Sequence, residues 1–184
     1  MSTYSPALLA RNPTAATLVA EIQHGDLGAR EGAVRQAPLV GSPAIVALGA
    51  VYGGEDEGAA RAALEALRRV ALHCGRPRAP QERQAAAAAL LKLAGPGRPR
   101  RVRTEALHLL GVVARPDDVA GLAALLEDEE VREDARMALE RVPGRSANAA
   151  LRKALAEGSA EFRPAVEQSL RRRSTALRDL GVAR

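Results

Sequence analysis

The chain has almost no aromatic residues: it contains no Trp, one Phe and two Tyr among 184 residues. Aromatic and β-branched side chains favour strands, whereas alanine is the best helix former, and 40 of the residues are alanine. The composition therefore predicts an all-α protein. The scarcity of aromatic rings also argues against an enzyme that captures an extruded base by stacking.

Cysteine and long apolar runs are scarce as well. Cys74 is the single cysteine, so the chain cannot hold an internal disulfide framework. No apolar run approaches the ~18 residues of a membrane span, and the first residues have no basic stretch ahead of an apolar core. We therefore expect a cytoplasmic protein that does not enter a membrane.

Motifs for catalysis and metal binding are missing too. His24, His73 and His108 lie far apart, and no pair of His or Cys residues has the i, i+4 or Cys-x-x-Cys spacing of a metal site. The segment 95–97, Gly-Pro-Gly, lacks the Gly-Lys-Ser/Thr of a phosphate-binding loop. We assign no catalytic, cofactor-binding or metal-ligating residues, and we expect Cys74 to be a buried thiol.

An apolar residue followed by Arg recurs near the start of five predicted helices. The steps between successive copies are 31, 42, 29 and 31 residues, and the third residue after each Arg is apolar. Favoured N-cap residues, Asp26, Asp128 and Ser159, stand four positions before three of the copies. The five arginines are Arg30, Arg61, Arg103, Arg132 and Arg163. This recurrence indicates a repeat protein.

A second amphipathic segment precedes each of these helices, and a proline opens four of the five, where a missing N–H costs little. The segments are 14–24, 43–52, 80–94, 116–126 and 147–156. We predict five antiparallel helix pairs in a single domain of residues 1–184. The predicted pairs are 12–40, 41–74, 75–115, 116–144 and 145–175, followed by a short tail, 176–184.

Residues 127–142, with the sequence E-D-E-E-V-R-E-D-A-R-M-A-L-E-R-V, show the repeat most clearly. Their capping Asp128, Val-Arg pair and Ala/Leu spacing resemble HEAT repeats, specifically the short bacterial type also seen in phycobilisome-lyase-like proteins. The resemblance implies a right-handed superhelix (solenoid) of helix pairs that binds partners on a concave face lined by the second helices. It implies a fold and not an activity.

Two parts of the chain depart from the regular pattern. Pro38 falls late in the second helix of the first pair, so we expect that helix to end or kink near Ala37. The third pair is longer than its neighbours, and it has Pro99 where the fourth pair has Asp128. The first pair is therefore expected to be an irregular cap of the solenoid.

Charge is concentrated in the third and fourth pairs. Residues 75–115 contain nine basic and two acidic residues, a net charge of +7, and residues 116–143 have a net charge of −6. Gly-Arg-Pro-Arg occurs twice, at 75–78 and 97–100, on either side of the predicted helix 80–94. That helix spans ~22 Å, so the two copies are expected on opposite rims of the solenoid.

The third pair is the candidate site because arginines at a helix N-terminus oppose the helix dipole unless an anion is bound. The candidate partner-binding or anion-binding residues are Arg76, Arg78, Arg83, Arg98, Arg100, Arg101 and Arg103. The alternative is that this cluster is only a solvated face. In the other pairs, acids gather at helix starts and arginines at helix ends, as the dipole favours without any ligand.

The repeat and the missing catalytic motifs together predict a non-enzymatic HEAT-repeat scaffold or adaptor that binds another protein. The first alternative is a nucleic-acid or anionic-polymer binder that uses the arginines of the third pair. The second is a lyase-like enzyme of the bilin-lyase HEAT type, for which the chain offers no residues to assign. The oligomeric state cannot be inferred from these features.

Overall fold

A computed structural model describes residues 13–179 of the chain. Ten α-helices and three short 3-10 turns make up this part, and none of the described residues forms a strand. The helices are α1 (Ala15–His24), α2 (Leu27–Val40), α3 (Ile45–Tyr52), α4 (Glu57–Cys74), α5 (Pro80–Ala94), α6 (Arg100–Val113), α7 (Val119–Ala124), α8 (Arg132–Arg141), α9 (Arg145–Glu157) and α10 (Arg163–Asp179). The all-α prediction is confirmed. The start of the predicted first pair, residue 12, and tail residues 180–184 lie outside the described residues.

Side-chain caps begin several of these helices. Asp26 accepts a hydrogen bond from the Ala29 N–H at 2.8 Å, and Asp56 does the same for Ala59. Thr14 forms a capping box with Thr17 at the start of α1. Pro80 is the first residue of α5, where its missing N–H has no partner to lose. Local sequence signals thus define the helix starts.

Consecutive helices pack in pairs, and the pairs stack into an α-helical solenoid. Among the second helices of the pairs, α2 contacts α4 and α6 contacts α8 extensively, whereas neighbouring first helices contact each other sparingly. Helices that approach more closely lie along the shorter arc of a curved stack. We therefore call α2, α4, α6, α8 and α10 the inner layer, and α1, α3, α5, α7 and α9 the outer layer.

The core lies between the two layers and is built from leucine, valine and alanine. It runs continuously through all five pairs, and its members include fully buried Leu18, Leu67, Leu107, Leu139 and Leu151. Alanines fill the positions between these larger side chains, which lets neighbouring helices approach closely. None of the described helices is long and apolar enough to cross a membrane.

Two glycines let α5 approach its outer-layer neighbours. A Cβ at Gly49 of α3 would lie 2.6 Å from both terminal carbons of Leu93, which packs directly on the glycine. A Cβ at Gly121 of α7 would lie 2.8 Å from Leu91 in the same way. The two leucines of α5 therefore pack against glycine in both neighbouring helices. In these places the outer layer is held together by shape.

The expected end of α2 near Ala37 is wrong, because the helix continues through Pro38 to Val40. Proline this close to a helix end removes only one hydrogen bond, and the Gly41 N–H donates to the Ala37 carbonyl at 3.2 Å. Gly41 has a φ of 70°, which glycine adopts without strain. The last turn of α2 is therefore still closed.

The expected N-cap role of Asp128 is also wrong, because α8 begins at Arg132. Asp128 opens a turn instead: its carboxylate accepts the Glu130 N–H at 3.0 Å, and its carbonyl accepts the Arg132 N–H at 2.7 Å. The Asp128 carboxylate also binds Arg103 of the preceding pair. Its tertiary partner therefore determines its position.

The predicted arginine recurrence breaks at Arg61. Aligning the two N-caps, Asp26 and Asp56, gives a step of 30 residues, so Arg30 corresponds to Ala60 and not to Arg61. Arg61 is exposed, whereas Arg30 donates to the Gln23 carbonyl at 3.0 Å and to Asp56 at 3.2 Å. The insertion of one residue turns Arg61 away from the interface between pairs.

Candidate functional site

Polar contacts join neighbouring helices of the inner layer. The Arg68 guanidinium on α4 donates two hydrogen bonds to the Glu105 carboxylate on α6, with Nε–Oε1 and Nη2–Oε2 distances of 2.7 and 2.9 Å. Glu105 is buried, and these hydrogen bonds raise the pKa of Arg68. One step further along the solenoid, the Thr104 hydroxyl donates to Asp134 on α8 at 3.0 Å. These contacts hold α4, α6 and α8 in fixed positions.

The same three helices also expose apolar side chains near their C-terminal ends. Leu72 on α4 is 58% exposed, Val112 on α6 is 44% exposed and Met137 on α8 is 46% exposed. We call these three residues the apolar stripe. Single exposed apolar residues are common on protein surfaces, but one on each of three successive helices forms a repeated feature.

A cleft of about 450 Å³ lies beside the first turn of α6. The Arg101 guanidinium packs over the Tyr52 ring, 5.5 Å from its centroid, and donates a hydrogen bond to the Gly54 carbonyl. The lining residues are Tyr52, Arg100, Arg101, Thr104, Glu105 and Asp134. Basic and acidic groups are both present, so the cleft can meet a polar partner of either sign.

Two of the seven candidate arginines form ion pairs close to α5. Arg76 donates to both oxygens of Glu82 at 2.7 Å. Arg83 donates to Asp118 at 2.8 Å, and both side chains are largely buried, with 12% and 10% exposed. Glu82 has a lowered pKa, chiefly because Arg76 donates hydrogen bonds to it. Arg83 thus links the third pair to the fourth.

Arg103, a third candidate, is buried and serves as an internal connector. Its Nε donates to the Ala94 carbonyl at the end of α5 at 2.9 Å. Its two terminal nitrogens bind Asp128 and Glu130 in the turn before α8. The hydrogen bond from Arg103 is the main cause of the lowered pKa of Asp128. Much of the opposite charge of the third and fourth pairs is therefore used where they meet.

The remaining four candidates stay at the surface but are not brought together. Arg78 precedes α5, whereas Arg98, Arg100 and Arg101 stand at the start of α6, so the 15-residue α5 separates them. The two Gly-Arg-Pro-Arg copies thus lie at opposite ends of α5, as expected. The first turn of α6 contains no acidic residue, and its N-terminus has no side-chain cap.

The sequence analysis missed Arg173, which lies on the core-facing stripe of α10. Its guanidinium donates to the carbonyls of Leu139, Glu140 and Val142 at 3.0, 2.8 and 2.6 Å, and to that of Gly144 at 2.9 Å. Arg173 thereby binds the C-terminal end of α8, and burial lowers its pKa. The expected role of Arg171–Arg173 at the end of their own helix is wrong for this residue, because α10 runs on to Asp179.

A groove of about 640 Å³ opens between α7 and α9 on the outer layer. We call it the α7–α9 groove. Its surface is formed largely by small and apolar side chains, and three glutamates stand at its edge. The lining residues are Ala120, Ala123, Ala124, Leu126, Glu127, Glu129, Arg132, Ala150, Lys153, Ala154, Glu157, Gly158, Ser159 and Phe162. The residue spacing in the sequence had not pointed to this groove.

Groups with chemical reactivity are few in the described part of the chain. Cys74 is fully buried, as expected, and burial raises the pKa of its thiol. The described residues include no group of three or more His, Cys, Asp and Glu side chains placed to hold a metal ion. Cys74 therefore belongs to the core at the end of α4.

The described residues define an α-helical repeat solenoid. Comparison with solved structures finds similar folds among engineered proteins. One is a designed armadillo repeat protein in complex with the peptide (KR)4, 18% identical, with a TM-score of 0.47 over 85% of this chain and 80% of that one. Computationally designed armadillo repeat proteins for modular peptide recognition are 17% identical, with a TM-score of 0.45 over 85% and 81%. No known family and no curated protein matches the sequence.

Proposed function

We propose that the protein is a non-enzymatic, HEAT-like scaffold that binds another protein on its inner layer. The observation that carries this proposal is the apolar stripe of Leu72, Val112 and Met137 on three successive helices. Partly exposed apolar side chains surrounded by polar ones are typical of protein interfaces. A nucleic-acid backbone would gain little from such a stripe, because phosphates bind to cationic groups.

The polar contacts around the stripe support the same function. Arg68 with Glu105, and Thr104 with Asp134, fix the neighbouring helices before any partner arrives. A surface that is already ordered loses little conformational entropy on binding, so more of the contact energy appears as affinity. The inner layer thus combines an apolar contact region with a polar surround.

The proposal is tested by crosslinking the protein in cells of its source organism and measuring the recovery of each bound protein by mass spectrometry. The test variant replaces Val112 and Met137 with Glu. The control variant replaces Leu27 and Leu39 with Glu, because both are apolar, 75% exposed and outside the apolar stripe. We expect the test variant to lose at least about tenfold of one specific partner, which corresponds to ~1.4 kcal/mol of binding energy.

The control variant should recover that partner at the wild-type level, and both variants should keep the wild-type circular dichroism spectrum. Equal recovery by the test variant, or equal loss by both variants, would show that the inner layer is not the binding surface.

Binding of nucleic acid or another anionic polymer is the second candidate. Exposed Arg98 and Arg100 favour it, because they stand where the first turn of α6 contains no acid. Replacing Arg98, Arg100 and Arg101 with Glu should then weaken binding to DNA or RNA, and the wild-type affinity should fall steeply with salt. Affinity that is absent or independent of salt would remove this candidate.

A further inference from the structure

The α7–α9 groove exists because α7 is short. This helix has six residues, and 3-10 turns at Pro116–Asp118 and Leu125–Glu127 flank it. Its outer-layer neighbour α9 has 13 residues, so α7 covers only part of the facing surface. Small side chains line both sides, including Ala120 and Ala123 on α7 and Ala150 and Ala154 on α9. The space left open, about 640 Å³, lies in the range of typical ligand pockets.

The edge of the groove is acidic. Glu127 follows α7, Glu129 lies in the next turn and Glu157 ends α9, and we call these three residues the acidic edge. The C-terminal end of α9 adds the negative end of its helix dipole. A segment with a net charge of −6, residues 116–143, supplies two of the three carboxylates.

The basic residues of the groove are already engaged. The Arg132 guanidinium lies 5.1 Å from the centroid of the Phe162 ring, with one nitrogen 3.6 Å from Glu129. Lys153 lies 3.7 Å from Glu157, and both of these side chains are mostly exposed. Exposed ion pairs of this kind contribute little and exchange readily for others. The acidic edge is therefore available to a cationic partner.

We infer that the α7–α9 groove binds a basic amphipathic helix of a protein partner. Apolar residues spaced i, i+4 on that helix would enter between the alanines, and its Lys or Arg residues would meet the acidic edge. The described residues offer no strand edge, so an extended peptide could not be held by backbone pairing. A phosphate-bearing partner would be repelled by the same carboxylates. This inference rests on the proposed function as a protein-binding scaffold and adds a second contact surface to it.

The test measures the affinity of a fluorescein-labelled 18-residue probe peptide with leucine and alanine on one helical face and lysine on the other. One groove variant replaces Ala124 and Ala150 with Trp to fill the space. A second replaces Glu127 and Glu157 with Lys to reverse the charge of the edge. The control variant replaces Glu55 and Glu57 with Lys, because these exposed glutamates lie outside the groove.

We expect each groove variant to weaken binding of the probe at least about tenfold, or ~1.4 kcal/mol, and the control to stay within about twofold. A scrambled peptide of the same composition should bind at least about tenfold more weakly, because it has no apolar face. All variants are compared at equal helical content by circular dichroism.

Three outcomes would overturn the inference. They are equal binding of the scrambled probe, equal binding of an acidic version of the probe, and unchanged affinity in both groove variants. Self-association of the protein that is lost in the groove variants would also overturn it, since the occupant would then be a second copy. The variant Val112→Glu with Met137→Glu separates the two proposals. Its loss of a partner in cells concerns only the inner layer, whereas the probe concerns only the groove.

Discussion

The two layers of the solenoid are held together by different means. In the inner layer, arginines bind carboxylates or helix ends of the next pair, as Arg68, Arg103 and Arg173 do. In the outer layer, Leu93 and Leu91 of α5 pack on Gly49 and Gly121. The inner layer thus depends on directional polar contacts, and the outer layer depends on close fit. Where that fit is incomplete, between α7 and α9, a groove remains.

The largest effect in the inner layer is expected from Arg173→Ala. Its removal leaves the carbonyls of Leu139 and Val142 without their buried donor, at the end of α8 where no further helical N–H is available. We expect the free energy of unfolding to fall by about 3 kcal/mol, because hydrogen bonds from a charged donor are among the stronger ones. Urea unfolding followed by circular dichroism measures this change.

Arg172→Ala is the matched control. The neighbouring Arg172 side chain is 61% exposed and has a single distant contact, 3.4 Å from Glu140. We expect it to change stability by less than about 1 kcal/mol. Similar losses for both variants would show that Arg173 does not have the special role that its burial indicates.

The outer layer is tested by Gly49→Ala and Gly121→Ala. The new Cβ at Gly49 would lie 2.6 Å from fully buried Leu93, which has little room to move. We expect Gly49→Ala to cost about 2 kcal/mol, in the range of overpacked cores. Leu91 is only partly buried, so Gly121→Ala should cost about 1 kcal/mol or less. Thermal unfolding of the two variants compares them directly, and a larger loss for Gly121→Ala would contradict this account.

The smallest expected effect is a pH dependence confined to the inner layer. Arg103 lowers the pKa of Asp128, so this contribution to stability is present above the ordinary Asp pKa of about 3.9 and is lost as the pH falls through the lower folded-state pKa. The stability difference between the wild type and Arg103→Gln should therefore shrink as the pH is lowered from 5 to 2. Urea titrations at each pH measure it, and a constant difference would contradict the assignment.

The helices were predictable where the signals are local. Pro80 and Gly95 mark the limits of α5, and the predicted helix 80–94 agrees with the structure at both ends. Pro38 misled the prediction, because hydrogen bonds at the end of a helix tolerate one missing donor. Asp128 misled it for another reason: a residue 25 positions away, Arg103, competes for its carboxylate.

The candidate surfaces were less predictable, because they depend on residues distant in sequence. The charge count indicated that the third pair is unusual, but it could not show that Arg83 and Arg103 face carboxylates of the fourth pair. Arg173 had one local signal, since Phe162, Val166, Ser169 and Arg173 follow the spacing of a core stripe with polar residues at its end. The α7–α9 groove had none, because it depends on how little of α9 the short α7 covers.

The claim that the inner layer binds a protein is tested most directly by hydroxyl-radical footprinting of the partner complex isolated from cells. We expect oxidation of Met137 and Leu72 to fall several-fold relative to the free protein, because a partner would cover the apolar stripe. Leu27 and Leu39, which are more exposed and lie outside the stripe, should be oxidised as before. Unchanged oxidation of Met137 and Leu72 in the complex would contradict the claim.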